Sequence, residues 1–126
     1  SYEKQNYIGN DKSIKIPSVY RDGTYIGEGD EWKHGSETAE VIITNGRIQS
    51  IKLRKLNSRG EEVDYNEWIG KEVNGSIKPD LKAYRIEMAR RMVEAQSYDV
   101  LPVNGAGISC ENWKLAVKRA LAGAEM

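Results

Sequence analysis

Apolar and polar residues alternate legibly in three parts of the chain. From Glu37 to Thr44 the period is two: Ala39, Val41 and Ile43 point one way and Glu40, Ile42 and Thr44 the other, which predicts a strand. Asn45-Gly46 follows directly, and both residues tolerate φ > 0, as a type I′ hairpin turn requires. The return strand is predicted from about Arg47 to Leu56. There Ile48 is out of phase with Ile51 and Leu53, which predicts a bulge or face switch near Gln49–Ser50. Upstream, Asp22-Gly23 marks a turn and Thr24 to Gly29 is a β-prone stretch weakened by glycine. Ile14 and Ile16 flank Lys15 before Pro17, a short edge-strand pattern within a polar N-terminal arm or linker over 1–19.

Farther along, the period lengthens to that of a helix. Asp80 is placed to cap a helix whose stripe runs Leu81, Tyr84, Met88, Met92 and Ala95, widened by Ile86, Ala89 and Val93, and which ends near Ser97. After an extended stretch, Tyr98 to Val103, comes a small-residue turn, Asn104-Gly105-Ala106-Gly107. Ser109 or Cys110 is then expected to cap a last helix with Trp113, Ala116, Val117, Ala120 and Leu121 on its apolar face. Between strands and helices, residues 57–79 have no period. Asn57 to Gly60 reads as a turn, and Gly70, Asn74-Gly75 and Pro79 break any long element. Strands first and helices later predict an α+β domain over 20–126, a twisted, mostly antiparallel sheet backed by two helices.

Composition narrows the functions. The chain has 126 residues, and 19 Lys+Arg balance 19 Asp+Glu, so there is no basic excess of the kind a nucleic-acid binder carries. No apolar run approaches the ~18 residues that would span a bilayer. A single cysteine, Cys110, forbids an intramolecular disulfide. It reads as a small core residue, with a lowered pKa near a helix start as the alternative. The one histidine, His34, sits with Glu28, Asp30 and Glu31 in what reads as a solvated loop rather than a metal site. Gly27-Glu28-Gly29 is not a dinucleotide-binding fingerprint, because Trp32 stands where the third glycine belongs. Arg47, Lys52, Arg54, Lys55 and Arg59 form a basic strand, read as an edge kept soluble by charge.

The informative segment is Asn104-Gly105-Ala106-Gly107-Ile108-Ser109. Small residues let the backbone approach a ligand, and the helix that follows offers free N–H groups and the positive end of its dipole. That makes a phosphate cradle or an ordinary strand-to-helix turn, and these residues alone fit both equally.

Two stretches then resemble a known family. The first is Asp22 to Gly29 with the hairpin Glu40 to Ile48 and the following Ile51 to Leu53. The second is Val93-Glu94-Ala95-Gln96-Ser97-Tyr98-Asp99-Val100, then Val103 to Ala106, Ser109 and Trp113 to Leu121. Together, in this order and spacing, they resemble the FMN-binding domain of the flavin-carrying subunits of sodium-pumping NADH:quinone oxidoreductase and related electron-transport complexes. In members with covalent FMN, the phosphate is esterified to the threonine of a Ser-Gly-Ala-Thr motif. Here that position is Gly107, the motif's serine is Asn104, and its preceding aspartate is Leu101. Gly107 has no hydroxyl, so the ester is not expected.

The resemblance therefore implies noncovalent FMN binding at Asn104 to Ser109. A flavin ring needs an apolar or aromatic partner, for which Tyr98 and Trp113 are the candidates although each reads first as core, and Arg or Lys of the basic strand is the candidate for phosphate neutralisation. It implies electron transfer with a redox partner protein or membrane complex, in a membrane-associated or extracytoplasmic setting. No acid, base or substrate site of a complete enzyme is visible. The alternative is a flavin-free member acting as a surface interaction or structural module.

Overall fold

A computed structural model describes residues 20–103 and 107–126. The predicted Ile14–Ile16 strand and the turn residues Asn104, Gly105 and Ala106 lie outside the described residues. Strands β1 (Gly23–Glu28), β2 (Ser36–Thr44) and β3 (Arg47–Leu56) form an antiparallel sheet in the order β1-β2-β3. Two helices, α1 (Leu81–Ala95) and α2 (Gly107–Ala124), back it. The architecture is α+β, and the sheet is open rather than closed into a barrel.

The β2–β3 hairpin forms as its sequence dictates. Asn45 and Gly46 take φ of 55° and 77°, and the Asp22 carboxylate accepts from both of their backbone N–H groups, at 3.1 and 2.9 Å. Ile42 pairs with Ser50 but Ile43 with Ile48, so Gln49 is the extra residue of a bulge. The bulge returns Ile48 to the inward face shared by Ile51 and Leu53.

That face, with Ala39, Val41 and Ile43, packs on Leu81, Met88 and Met92 of α1 and on Trp113, Ala116, Val117, Ala120 and Leu121 of α2. Each fully buried large aliphatic side chain contributes roughly 1.5–3 kcal/mol. Asp80 caps α1 by accepting from the N–H of Ala83 at 3.1 Å. Gln96 ends α1 in the left-handed region, and its side chain bonds both the N–H and the C=O of Ile48 at 2.9 and 2.8 Å, fixing α1 to the bulged strand.

The stripe on α1 is narrower than its periodicity predicts. Ile86 is 60% exposed, because at ~100° per residue it lies far around the helix from Leu81, Met88 and Met92. Ala95, at the helix end, is exposed too. Residues 57–79 hold a short 3₁₀ turn (Tyr65–Glu67) and a hairpin of two-residue strands, β4 (Glu72–Val73) and β5 (Ser76–Ile77), turned by Asn74-Gly75. Among the described residues no helix is long and apolar enough to cross a membrane.

Candidate functional site

Two glycines let α2 lie directly on the end of the sheet. A Cβ on Gly27 would stand 1.9 Å from the Ala116 carbonyl oxygen, and one on Gly29 would stand 2.3 Å from Asn112 Oδ1. The Gly-Glu-Gly stretch therefore serves close strand–helix packing. Past Gly29 the chain turns back through a tight bridge between Trp32 and Gly35, with N···O distances of 2.7 and 3.0 Å. This loop sets Trp32 beside the first turns of α2.

Between loop and helix runs an open groove of about 530 Å³, lined by Asp30 and Trp32 on one side and by Gly107, Ile108, Glu111, Asn112 and Leu115 on the other. Its size falls within the usual ~300–1,000 Å³ of small-molecule sites. Asp30 pairs with Arg119 at 3.0 Å, and Glu111 lies 3.7 Å from Lys114.

Beneath the groove is a buried polar cluster. Glu37 and Lys55 face each other across β2 and β3, both fully buried, with Nζ 2.8 Å from Oε2. Glu37 Oε2 also accepts from the Ser109 hydroxyl at 2.7 Å. Its Oε1 accepts from Trp32 Nε1 at 3.0 Å and from Asn112 Nδ2. Asn112 in turn holds the backbone of Asp30, accepting from its N–H at 2.7 Å and donating to its carbonyl at 2.8 Å. The Lys55 ammonium lies 4.5 Å from the Trp32 ring centroid and 5.7 Å from that of Trp68.

The predicted site residues divide accordingly. Gly107 opens α2 with no described residue beyond its own turn of helix within 4 Å of where a Cβ would stand, and Ile108 beside it is 61% exposed on the groove. Ser109 is not the cap but lies within the helix, buried, with its hydroxyl committed to Glu37. Asn104, Gly105 and Ala106 lie outside the described residues.

The suggested ring partners are elsewhere. Trp113 is fully buried with Nε1 donating to the Arg54 carbonyl at 3.0 Å, and Tyr98 packs against the core. Among the described residues Trp32 is the aromatic side chain that lines the groove.

The basic strand does not line the groove. Arg54 pairs with Glu40 and Glu62, Arg59 with Glu61, and Lys55 is buried. Burial pushes the Cys110 thiol pKa up, against the backbone hydrogen bond with Val103, so Cys110 is a core residue. Among the described residues no three His, Cys, Asp or Glu side chains converge as metal ligands, and His34 rests edge-on against the Trp32 ring.

No protein-family model and no curated protein matches the chain. Solved structures do. The crystal structure of the CPE2226 protein from Clostridium perfringens is 24% identical with a TM-score of 0.65, over 84% of this chain and 89% of that one. The solution NMR structure of a Clostridium thermocellum protein is 22% identical with a TM-score of 0.53, over 83% and 92%. At these identities the likeness is one of fold.

Proposed function

We propose that the chain is a noncovalent FMN-binding module that passes electrons. The observation that carries this reading is the position of an apolar groove with an aromatic wall directly beside the solvent-facing start of α2. Trp32, Ile108 and Leu115 would hold the ring system, and the N–H groups from Gly107 onward, at the positive end of the helix dipole, would face the phosphate. FMN supplies reversible electron transfer when bound, and the protein's part is to hold and orient it.

A noncovalent mode is supported by the hydroxyl inventory. Gly107 has none, and that of Ser109 is buried against Glu37. In this reading electrons pass to a redox partner protein or membrane complex, in the membrane-associated or extracytoplasmic setting implied by the family resemblance.

A second reading, a flavin-free interaction module, is favoured by one observation: among the described residues the groove is lined by Asp30 and Glu111 and by no Lys or Arg. Titrating the apo protein with FMN and following flavin fluorescence separates the two. Saturable quenching that Trp32→Ala weakens supports the flavin module. No quenching at high protein concentration supports the interaction module.

A further inference from the structure

We propose that Glu37 is the positioning residue of the groove, a buried carboxylate that ties its two walls together from below. The loop wall is held through Trp32 Nε1, and the helix wall through the Ser109 hydroxyl and the Asn112 amide. Asn112 closes the circuit by gripping both backbone groups of Asp30. Residues of both walls thus converge on one carboxylate whose charge is balanced by Lys55 at 2.8 Å.

A carboxylate is the group this position requires. Among the described residues four side chains reach Glu37, and all donate, two to each oxygen, as a carboxylate accepts on both. In Glu37→Gln the Lys55 ammonium keeps the remaining oxygen on its own side. The new NH₂ then faces Trp32 Nε1 and Asn112 Nδ2, donor against donor, and the loop wall loses its tie. The fold keeps its other anchors, including the bond from Trp113 Nε1 to the Arg54 carbonyl at 3.0 Å.

The test is hydrogen exchange of the indole N–H groups by NMR, on the full chain. Glu37→Gln also leaves the Lys55 charge without its partner, so both indoles lose some protection, and the exchange of the Trp32 indole should accelerate at least about tenfold more than that of Trp113. Unchanged Trp32 protection in a folded variant overturns the proposal, as does equal loss at Trp32 and Trp113, which marks general destabilisation. Should Glu37→Gln fail to fold, Glu37→Asp decides, since it keeps a carboxylate opposite Lys55 but sets it one methylene farther from Trp32 and Asn112. The Trp32 indole, which donates to Glu37 Oε1, should then exchange at least about tenfold faster, and an unchanged rate overturns the proposal.

The consequence for flavin rests on the function proposed above. FMN should bind these variants at least about tenfold more weakly than wild type. Equal affinity with a loosened loop overturns the claim that Glu37 sets the groove. If wild type binds no FMN, the flavin reading fails, and the exchange rates judge Glu37 without it.

Discussion

Glu37 and Lys55 sit directly opposite each other on β2 and β3 and form a fully buried ion pair, 2.8 Å from nitrogen to oxygen, at the end of the sheet where α2 begins. Removing one member of such a pair leaves an uncompensated buried charge, which costs far more than an exposed pair contributes. Lys55→Met should therefore lower unfolding free energy by ~3–5 kcal/mol in urea denaturation. Arg59→Met, which removes an exposed partner of Glu61, should cost no more than ~1 kcal/mol. Equal effects of the two substitutions would contradict the buried pair.

Gly27 tests the seating of α2. A Cβ there would meet backbone atoms, the Ala116 carbonyl oxygen at 1.9 Å and the Ala120 nitrogen at 2.6 Å, so the helix itself has to move. Gly27→Ala should destabilise by ~1–3 kcal/mol or more, read as a lower melting temperature. Gly60→Ala is a useful contrast. No described residue beyond its chain neighbours lies within 4 Å of a Cβ there, and its cost comes from a φ of +79°. A Gly27→Ala protein as stable as wild type would show that α2 lies farther from β1.

Tyr65 gives a pH signature. Burial, with smaller contributions from Glu62, pushes its phenol from 10.0 up to about 12, against the opposing hydrogen bond from the Lys55 N–H. A folded-state pKa above the unfolded one means that its stabilising contribution is complete below pH 10 and is lost as pH rises through about 12. The difference in tyrosinate absorbance between wild type and Tyr65→Phe should show one phenol ionising near 12. Ionisation at the ordinary value would mean that Tyr65 is solvated.

Cys110 should be chemically quiet. Its thiol is buried and its pKa raised, so thiolate and access are both scarce in the native state. Disulfide-exchange reagents at mildly alkaline pH should label it at a rate that follows global unfolding, rising steeply with denaturant. Rapid labelling without denaturant would contradict its place in the core.

These results also mark how far the sequence could be read. The β2–β3 hairpin, its turn and its bulge were legible because period two, Asn-Gly and the Ile48 phase slip are local signals. The Asp80 cap and the apolar face of α2 were legible for the same reason. The floor of the groove was not. Glu37 continues the inward phase of Ala39, Val41 and Ile43, and Lys55 that of Ile51 and Leu53. A charge at an inward position reads as a strand end unless its partner is known, and the partner is set by hairpin register. Trp32 was hidden differently. Its loop has no period, and it reaches the helix start through the packing of Gly27 and Gly29 on α2 and the bonds through Glu37 and Asn112.

In the proposed reading FMN lies along the start of α2 against Trp32. Mapping ¹⁵N–¹H shifts during an FMN titration reads that position. Saturable changes should be concentrated on the Trp32 indole and on the backbone N–H groups of Gly107, Ile108 and Leu115. Saturable changes centred elsewhere, or none at all, would contradict it.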